Sequence, residues 1–82
     1  MMYAMQFQGA TVLVNDVRID HGVLFANIIA KQDEHKGYFQ KCECIPIITS
    51  NTFELMGYDD IKIYESDEEF EKDMENFFED YL

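Results

Sequence analysis

Carboxylate side chains crowd the last third of the chain, in numbers that favour binding to positive charge. From Asp59 to Leu82 there are eleven Asp or Glu residues and two Lys residues, so this segment carries −9 of the total net charge of −11. The preceding 58 residues are close to balanced, with six acids and four bases. Charge concentrated in this way weakens a small fold by self-repulsion and creates a field that attracts cations. The pattern therefore indicates a surface that meets a basic partner.

The acidic segment has the signature of an amphipathic helix over about residues 67–81. Ser66 and Glu69 form a capping box, in which the Ser66 hydroxyl accepts from the Glu69 amide and the Glu69 carboxylate reaches back to the Ser66 amide. An apolar stripe at helical spacing follows: Phe70, Met74, Phe77, Phe78 and Tyr81. Two rows of carboxylates border this stripe on a helical wheel. The first acidic ridge contains Glu68, Glu71, Glu75 and Glu79; the second acidic ridge contains Glu69, Asp73 and Asp80.

The spacing of the two ridges predicts mimicry of nucleic-acid charge. Neighbouring carboxylates on a ridge lie about 5–6 Å apart at Cβ. Phosphates have a comparable spacing, because a strand rises about 3.4 Å per nucleotide while it winds around the axis. A helix face that only maintains solubility usually pairs Glu with Lys four residues on, whereas this helix offers only Lys72. We expect that reversing Asp67, Glu68 and Glu69 to Lys abolishes binding and leaves the fold intact.

The rest of the chain predicts an α+β fold within a single domain, residues 1–82. We expect an antiparallel sheet of three to four strands, about residues 5–64, packed on one face by the C-terminal amphipathic acidic helix. The predicted strands have β-branched and aromatic residues between turn-forming residues. They cover Met5–Val14, Val23–Lys31, Tyr38–Ile48 and Ile61–Tyr64. A brief helix capped at 50–52 is expected to run through Met56 and to end at Gly57.

Other residue types that could do chemistry give weaker patterns. Cys42 and Cys44 would point to the same side of a strand, but a metal site needs two more ligands and His21 and His35 are in different loops. We expect free thiols, no metal and no cofactor. The sequence has no nucleophile–His pattern and no Gly-rich phosphate loop, so we expect that the protein is not an enzyme.

The acidic balance and the lack of a long apolar run also limit the partners and the location. Phosphates of nucleic acids and anionic lipids would meet a surface of their own sign, so direct binding to nucleic acid or to a membrane is disfavoured. The longest apolar run, residues 23–30, is far below the roughly 18–20 residues that span a bilayer. The start of the chain has no signal-peptide pattern. We expect the protein in the cytoplasm of a bacterial host.

The stretch YESDEEFEKDM, from Tyr64 to Met74, resembles the acidic segment of small phage-borne anti-CRISPR proteins that inhibit Cas9. The polar hairpin 31–37 between two apolar strands also resembles the acidic hairpin of that family. The resemblance implies that carboxylates occupy the Cas9 surface that reads the PAM duplex and so exclude target DNA. By position, it implies helix-end contacts at Asp67, Glu68 and Glu69 and loop contacts at Asp33 and Glu34. Ser66 stands where the family has an acid, and Met5–Val14 replaces its N-terminal helix.

These observations together predict a phage or mobile-element inhibitor that blocks the basic surface of a host defence nuclease. The partner would be a basic nucleic-acid-binding protein, with a Cas effector as one candidate, and the inhibitor would be a monomer or a homodimer. An antitoxin or immunity protein that neutralises a basic toxin would present the same surface, and a homodimeric interaction module is a third alternative. The predicted partner-binding residues are Asp67, Glu68, Glu69, Glu71, Asp73, Glu75, Glu79, Asp80, Asp33 and Glu34.

Overall fold

The computed structural model describes residues 1–32, 35, 37–50 and 53–81, and for residues 78–81 the description covers the backbone. Within these residues the chain forms six strands and one helix. They are β1 (Met2–Phe7), β2 (Ala10–Asp20), β3 (Val23–Gln32), β4 (Phe39–Thr49), β5 (Met56–Tyr58), β6 (Ile63–Tyr64) and α1 (Asp67–Tyr81). The α+β class is confirmed. The sheet is larger than the predicted three to four strands, and it is mixed because β6 runs parallel to β4.

The connection between β5 and β6 forces the sheet to curl. The strand order is β5-β1-β2-β3-β4-β6, so β5 and β6 are the two edges. Only residues 59–62 join them, and so short a segment spans at most about 18 Å. Five flat inter-strand spacings of about 4.8 Å would separate the edges by about 24 Å. The two edges therefore approach each other, and register shifts at Leu13/Val14 and Ile28/Ala30 allow the long strands to bend.

Two tight turns set the register of β1, β2 and β3. Gln8 and Gly9 have φ angles of 49° and 79°, and His21 and Gly22 have φ angles of 51° and 78°. Two consecutive residues with positive φ are typical of the type I′ hairpin turn, whose twist matches that of the strands. The predicted single strand Met5–Val14 is therefore two strands joined by a turn at Gln8.

The brief helix predicted to run through Met56 is wrong. Residues 53–55 have no regular structure, and β5 begins at Met56 and pairs with β1. Asn51 and Thr52, part of the expected cap, lie outside the described residues. The segment instead crosses the sheet, because Phe53 and Leu55 pack against the apolar cluster on one of its faces.

Both faces of the curled sheet carry buried apolar side chains. One cluster contains Met5, Val12, Val14, Leu24, Ala26, Ile28 and Ile47. The other contains Ala4, Leu13, Ala30 and Phe39, with Ile61 and Ile63 packed against it. Among the described residues, α1 contributes no side chain to either cluster. The expectation that the helix packs across a sheet face is therefore wrong: irregular segments cover the sheet, and α1 contacts it chiefly through β6.

Beyond its first two residues, the outer edge of β4 is not paired with another described strand. β6 covers only Phe39 and Gln40 of this strand. Beyond them, a register shift at residues 42–44 interrupts the ladder, Glu43 is exposed, and Pro46 has no amide to donate. Bulges, charges and prolines are the devices by which sheet edges avoid association.

Cys42 and Cys44 lie in this irregular part of β4 and are free thiols. Cys42 is half-buried and Cys44 is exposed. The described part of the chain holds no group of three or more His, Cys, Asp or Glu side chains arranged to bind a metal ion. It also contains no helix that is both long enough and apolar enough to cross a membrane.

Candidate partner-binding surface

Helix α1 starts with the hydrogen bonds that its sequence predicts, with one change of partner. The Glu69 amide donates to Ser66 Oγ at 3.2 Å, so Ser66 is the N-cap. The Glu69 carboxylate accepts from the amide of Glu65 at 3.0 Å, and not from the amide of Ser66. Asp67, Glu68 and Glu69 lie in the first turn, where the helix dipole favours negative charge. The Glu69 carboxylate is thus used to begin the helix.

Three aromatic rings attach the first turns of α1 to the sheet. The Phe70 ring stacks on Tyr38 with centroids 4.0 Å apart, and its other contact is edge-to-face with Tyr64 at 5.2 Å. Tyr38 and Tyr64 are buried, and their rings also meet edge-to-face at 5.5 Å. The Tyr38 hydroxyl donates a hydrogen bond to Asp67. Since aromatic pairs in these orientations are favourable, this aromatic anchor of Tyr38, Tyr64 and Phe70 fixes the direction in which α1 leaves the sheet.

Asp73 is held between two donors on the sheet side of α1. Its Oδ2 accepts from the Tyr64 hydroxyl at 2.7 Å and lies 2.9 Å from Lys62 Nζ. The Tyr64 hydrogen bond, followed by the bond to Lys62, lowers the pKa of the Asp73 carboxyl. The same hydrogen bond, with burial, raises the pKa of Tyr64 to about 12. Asp73 therefore helps to dock the helix, and its charge is partly neutralised by Lys62.

The Asp73 contacts predict a defined acid response. A carboxyl whose pKa is lower in the folded state adds stability above its unfolded pKa, about 3.9, and that stability is lost as the pH falls through the folded pKa. We expect Asp73→Asn to be less stable than the wild type at pH 6 and to lose less stability between pH 4 and pH 2. Urea unfolding across this range measures both effects. Glu75→Gln, on the exposed side of the same helix, is the control. An equal loss of stability between pH 4 and pH 2 in Asp73→Asn and in the wild type would contradict the role given to the Asp73 contacts.

The described carboxylates of the first acidic ridge face solvent. Glu68, Glu71 and Glu75 are exposed, and none of them makes a hydrogen bond or ion pair with another described residue. In an α-helix, Glu71 lies about 4.5 Å beyond Glu68 along the axis, and Glu75 about 6 Å beyond Glu71. Glu68, Glu71 and Glu75 therefore form a row of exposed carboxylates along a helix that the aromatic anchor holds at one end.

The structure divides the described site residues of α1 into two groups. Glu69 and Asp73, from the second ridge, and Asp67 make hydrogen bonds within the fold, whereas Glu68, Glu71 and Glu75 of the first ridge make no hydrogen bond or ion pair with described residues. The Asp67–Glu69 reversal would therefore also remove contacts that start and dock α1. Four predicted site residues, Asp33 and Glu34 and the side chains of Glu79 and Asp80, lie outside the described part of the structure.

The apolar stripe of α1 is only partly covered. Phe70 and Met74 are half-buried, while Phe77 is 52% exposed. The described contacts of α1 with the sheet side come from its first two turns, through Asp67, Phe70 and Asp73.

Comparisons with protein-family models, with curated proteins and with solved structures give no significant match for this chain.

Proposed function

We propose that the protein mimics the charge of a nucleic acid and binds the basic groove of a nucleic-acid-binding protein through the first acidic ridge. In this proposal it is a phage or mobile-element inhibitor of a host defence nuclease, such as a Cas effector, and it performs no catalysis itself. The observation that carries the proposal is the row of Glu68, Glu71 and Glu75. These side chains are exposed and make no hydrogen bond or ion pair with another described residue.

The cost of the ridge to the fold supports a role in binding. Glu71 and Glu75 are separated by one helical turn, and like charges at this spacing destabilise a helix by a few tenths of a kcal/mol per pair. No basic residue lies in the last turn of α1 to complement the helix dipole. Neither feature helps the helix to form, whereas both increase the negative field along it. A field of this kind speeds association with a basic groove.

The anchor of α1 complements the ridge. A charge mimic gains affinity when its charges are held in place before binding, because less conformational entropy is lost on association. The stacking of Phe70 on Tyr38, together with the Asp73 contacts to Tyr64 and Lys62, holds the helix without using the ridge carboxylates. In this proposal the second ridge serves docking and the first ridge serves recognition.

Capture of partners from a host lysate tests the proposal. Immobilised protein is expected to retain a basic nucleic-acid-binding protein at 50 mM NaCl. At 500 mM NaCl the amount of retained partner should fall at least about tenfold, because screening weakens exposed charge pairs. Double-stranded DNA added as a competitor should displace the same partner, and mass spectrometry identifies it. Release of the partner by salt but not by DNA would contradict charge mimicry. Capture of a toxin whose active site does not bind nucleic acid would favour the antitoxin alternative.

A further inference from the structure

The apolar stripe of α1 continues past the residues that dock the helix. Phe70 lies against Tyr38 and Tyr64, whereas Met74 is half-buried and Phe77 is 52% exposed. In an α-helix, Phe77 lies two turns beyond Phe70 on the same face, about 10.5 Å along the axis. Phe77 therefore presents apolar surface to solvent on the face that docks the helix at its start.

The exposed position of Phe77 is better suited to binding than to stability. An aromatic residue loses side-chain freedom in a helix and favours helix formation less than Ala, Glu or Lys does. Half of its surface stays in contact with water, so little apolar burial offsets this disadvantage. Aromatic residues are, by contrast, enriched at protein interfaces, where burial of a single ring can supply much of the affinity.

The charges around Phe77 restrict what can cover it. The two acidic ridges border the apolar stripe, and the segment from Asp59 to Leu82 carries a net charge of −9. The same helix of a second copy would bring like charges together, and an anionic lipid surface would also repel the ridges. Charge complementarity therefore favours a partner protein with an apolar pocket whose rim carries Lys or Arg. An apolar centre within a polar rim is the usual anatomy of a protein interface.

We propose that Phe77 inserts into an apolar pocket of the partner protein, while Lys or Arg side chains around that pocket contact the acidic ridges. An amphipathic helix that lays its apolar face into a groove is a common mode of recognition. The inference rests on the proposed function, because it adds an apolar contact to the same charged helix. It narrows the class of partner to proteins whose basic groove also contains an apolar pocket.

Two synthetic peptides of equal charge test this contact without the natural partner. One is a helical peptide of Lys and Leu in which the Leu residues form one face, and in the other Ser replaces each Leu. We expect the Lys–Leu peptide to bind at least about tenfold more tightly, and this preference to persist at 500 mM NaCl, because salt does not screen apolar burial. Equal binding of both peptides would overturn the inference and leave charge mimicry standing. Failure of both peptides to bind at low salt would contradict the acidic binding surface itself.

Variants at Phe77 decide whether this side chain is responsible. Phe77→Ala should reduce the preference for the Lys–Leu peptide at least about fivefold, whereas Phe77→Leu should keep most of it because Leu restores apolar surface. Ile48→Ala is the control, since Ile48 is an apolar side chain of β4 that is 69% exposed, and it should bind as the wild type does.

Three results would overturn the proposed role of Phe77. The first is a Phe77→Ala variant that keeps the full preference for the Lys–Leu peptide. The second is an equal loss of this preference in Ile48→Ala. The third is a wild-type dimer, measured by sedimentation, that Phe77→Ala dissociates, because a second copy would then cover the ring.

Discussion

Reversing the three described carboxylates of the first ridge, by Glu68→Lys, Glu71→Lys and Glu75→Lys together, is expected to weaken binding to the basic partner at least about 100-fold. Each substitution replaces an attraction by a repulsion, and like charges brought together across an interface cost several kcal/mol, where 2.8 kcal/mol corresponds to about 100-fold. The fold should persist, because none of these side chains makes a hydrogen bond or ion pair with a described residue. A biosensor with immobilised partner protein, run at two salt concentrations, measures the affinity and the association rate of each variant.

A variant with the same net charge separates the ridge from the general field of the protein. Glu43→Lys, Glu54→Lys and Asp60→Lys change three exposed acids that lie outside α1, and either triple variant changes the net charge from −11 to −5. We expect this control to slow association modestly and to keep most of the affinity. If both triple variants lost affinity equally, net charge alone would explain binding and the ridge would have no special role.

Phe70→Ala is expected to detach α1 from the sheet. The substitution removes the stacking on Tyr38 and the edge contact with Tyr64, and truncation of a half-buried Phe in such a cluster costs about 2–3 kcal/mol. An isolated helix of fifteen residues is marginal in water, so α1 should unfold locally while the sheet remains. Hydrogen exchange measures this directly, since the α1 amides should lose protection and the β2 and β3 amides should keep it. Binding to the partner should fall as well, because the ridge is no longer held.

The matched control for Phe70→Ala lies two turns further along the same helix. Phe77 is 52% exposed, and Phe77→Ala should therefore cost less than about 1 kcal/mol and leave the exchange rates in the first two turns unchanged. Equal effects of the two substitutions would contradict an anchor confined to the start of the helix. Loss of protection in β2 and β3 with Phe70→Ala would show that α1 is integral to the sheet.

Short-range signals in the sequence predict the elements of this fold better than their arrangement. The Ser66–Glu69 cap and the apolar stripe place α1 correctly, and the apolar strands of β3 and β4 agree closely with prediction. Strand β5 has only three residues, too few for a periodic pattern, and it exists because β1 offers an edge to pair with. Strand β6 lies within the predicted strand Ile61–Tyr64, but its parallel pairing with β4 was not predicted. The turn at Gln8 was missed because Gly9 lies inside a run of otherwise strand-like residues.

The division of the acidic residues could not be predicted from the helix alone. A helical wheel cannot distinguish a ridge that contacts the fold from a ridge that faces solvent, because it contains no information about what lies beside the helix. The difference arises from Tyr64 and Lys62, which β6 and the residue before it bring next to Asp73. The alternation of Ile61 to Tyr64 predicted a strand there, but not that its polar side chains would reach α1. Tyr38 was likewise missed, since its contacts with α1 depend on how the helix leaves the sheet.

The most direct test of charge mimicry is to map which side chains of the protein the bound partner covers. With the captured basic protein bound, the side-chain resonances of Glu68, Glu71 and Glu75 are expected to shift or broaden, while those of Glu43 and Glu54 stay unchanged. Added double-stranded DNA should restore the free spectrum by competing for the same groove. If the three ridge carboxylates kept their free resonances in a saturated complex, the partner would bind elsewhere and the charge-mimic account would be wrong.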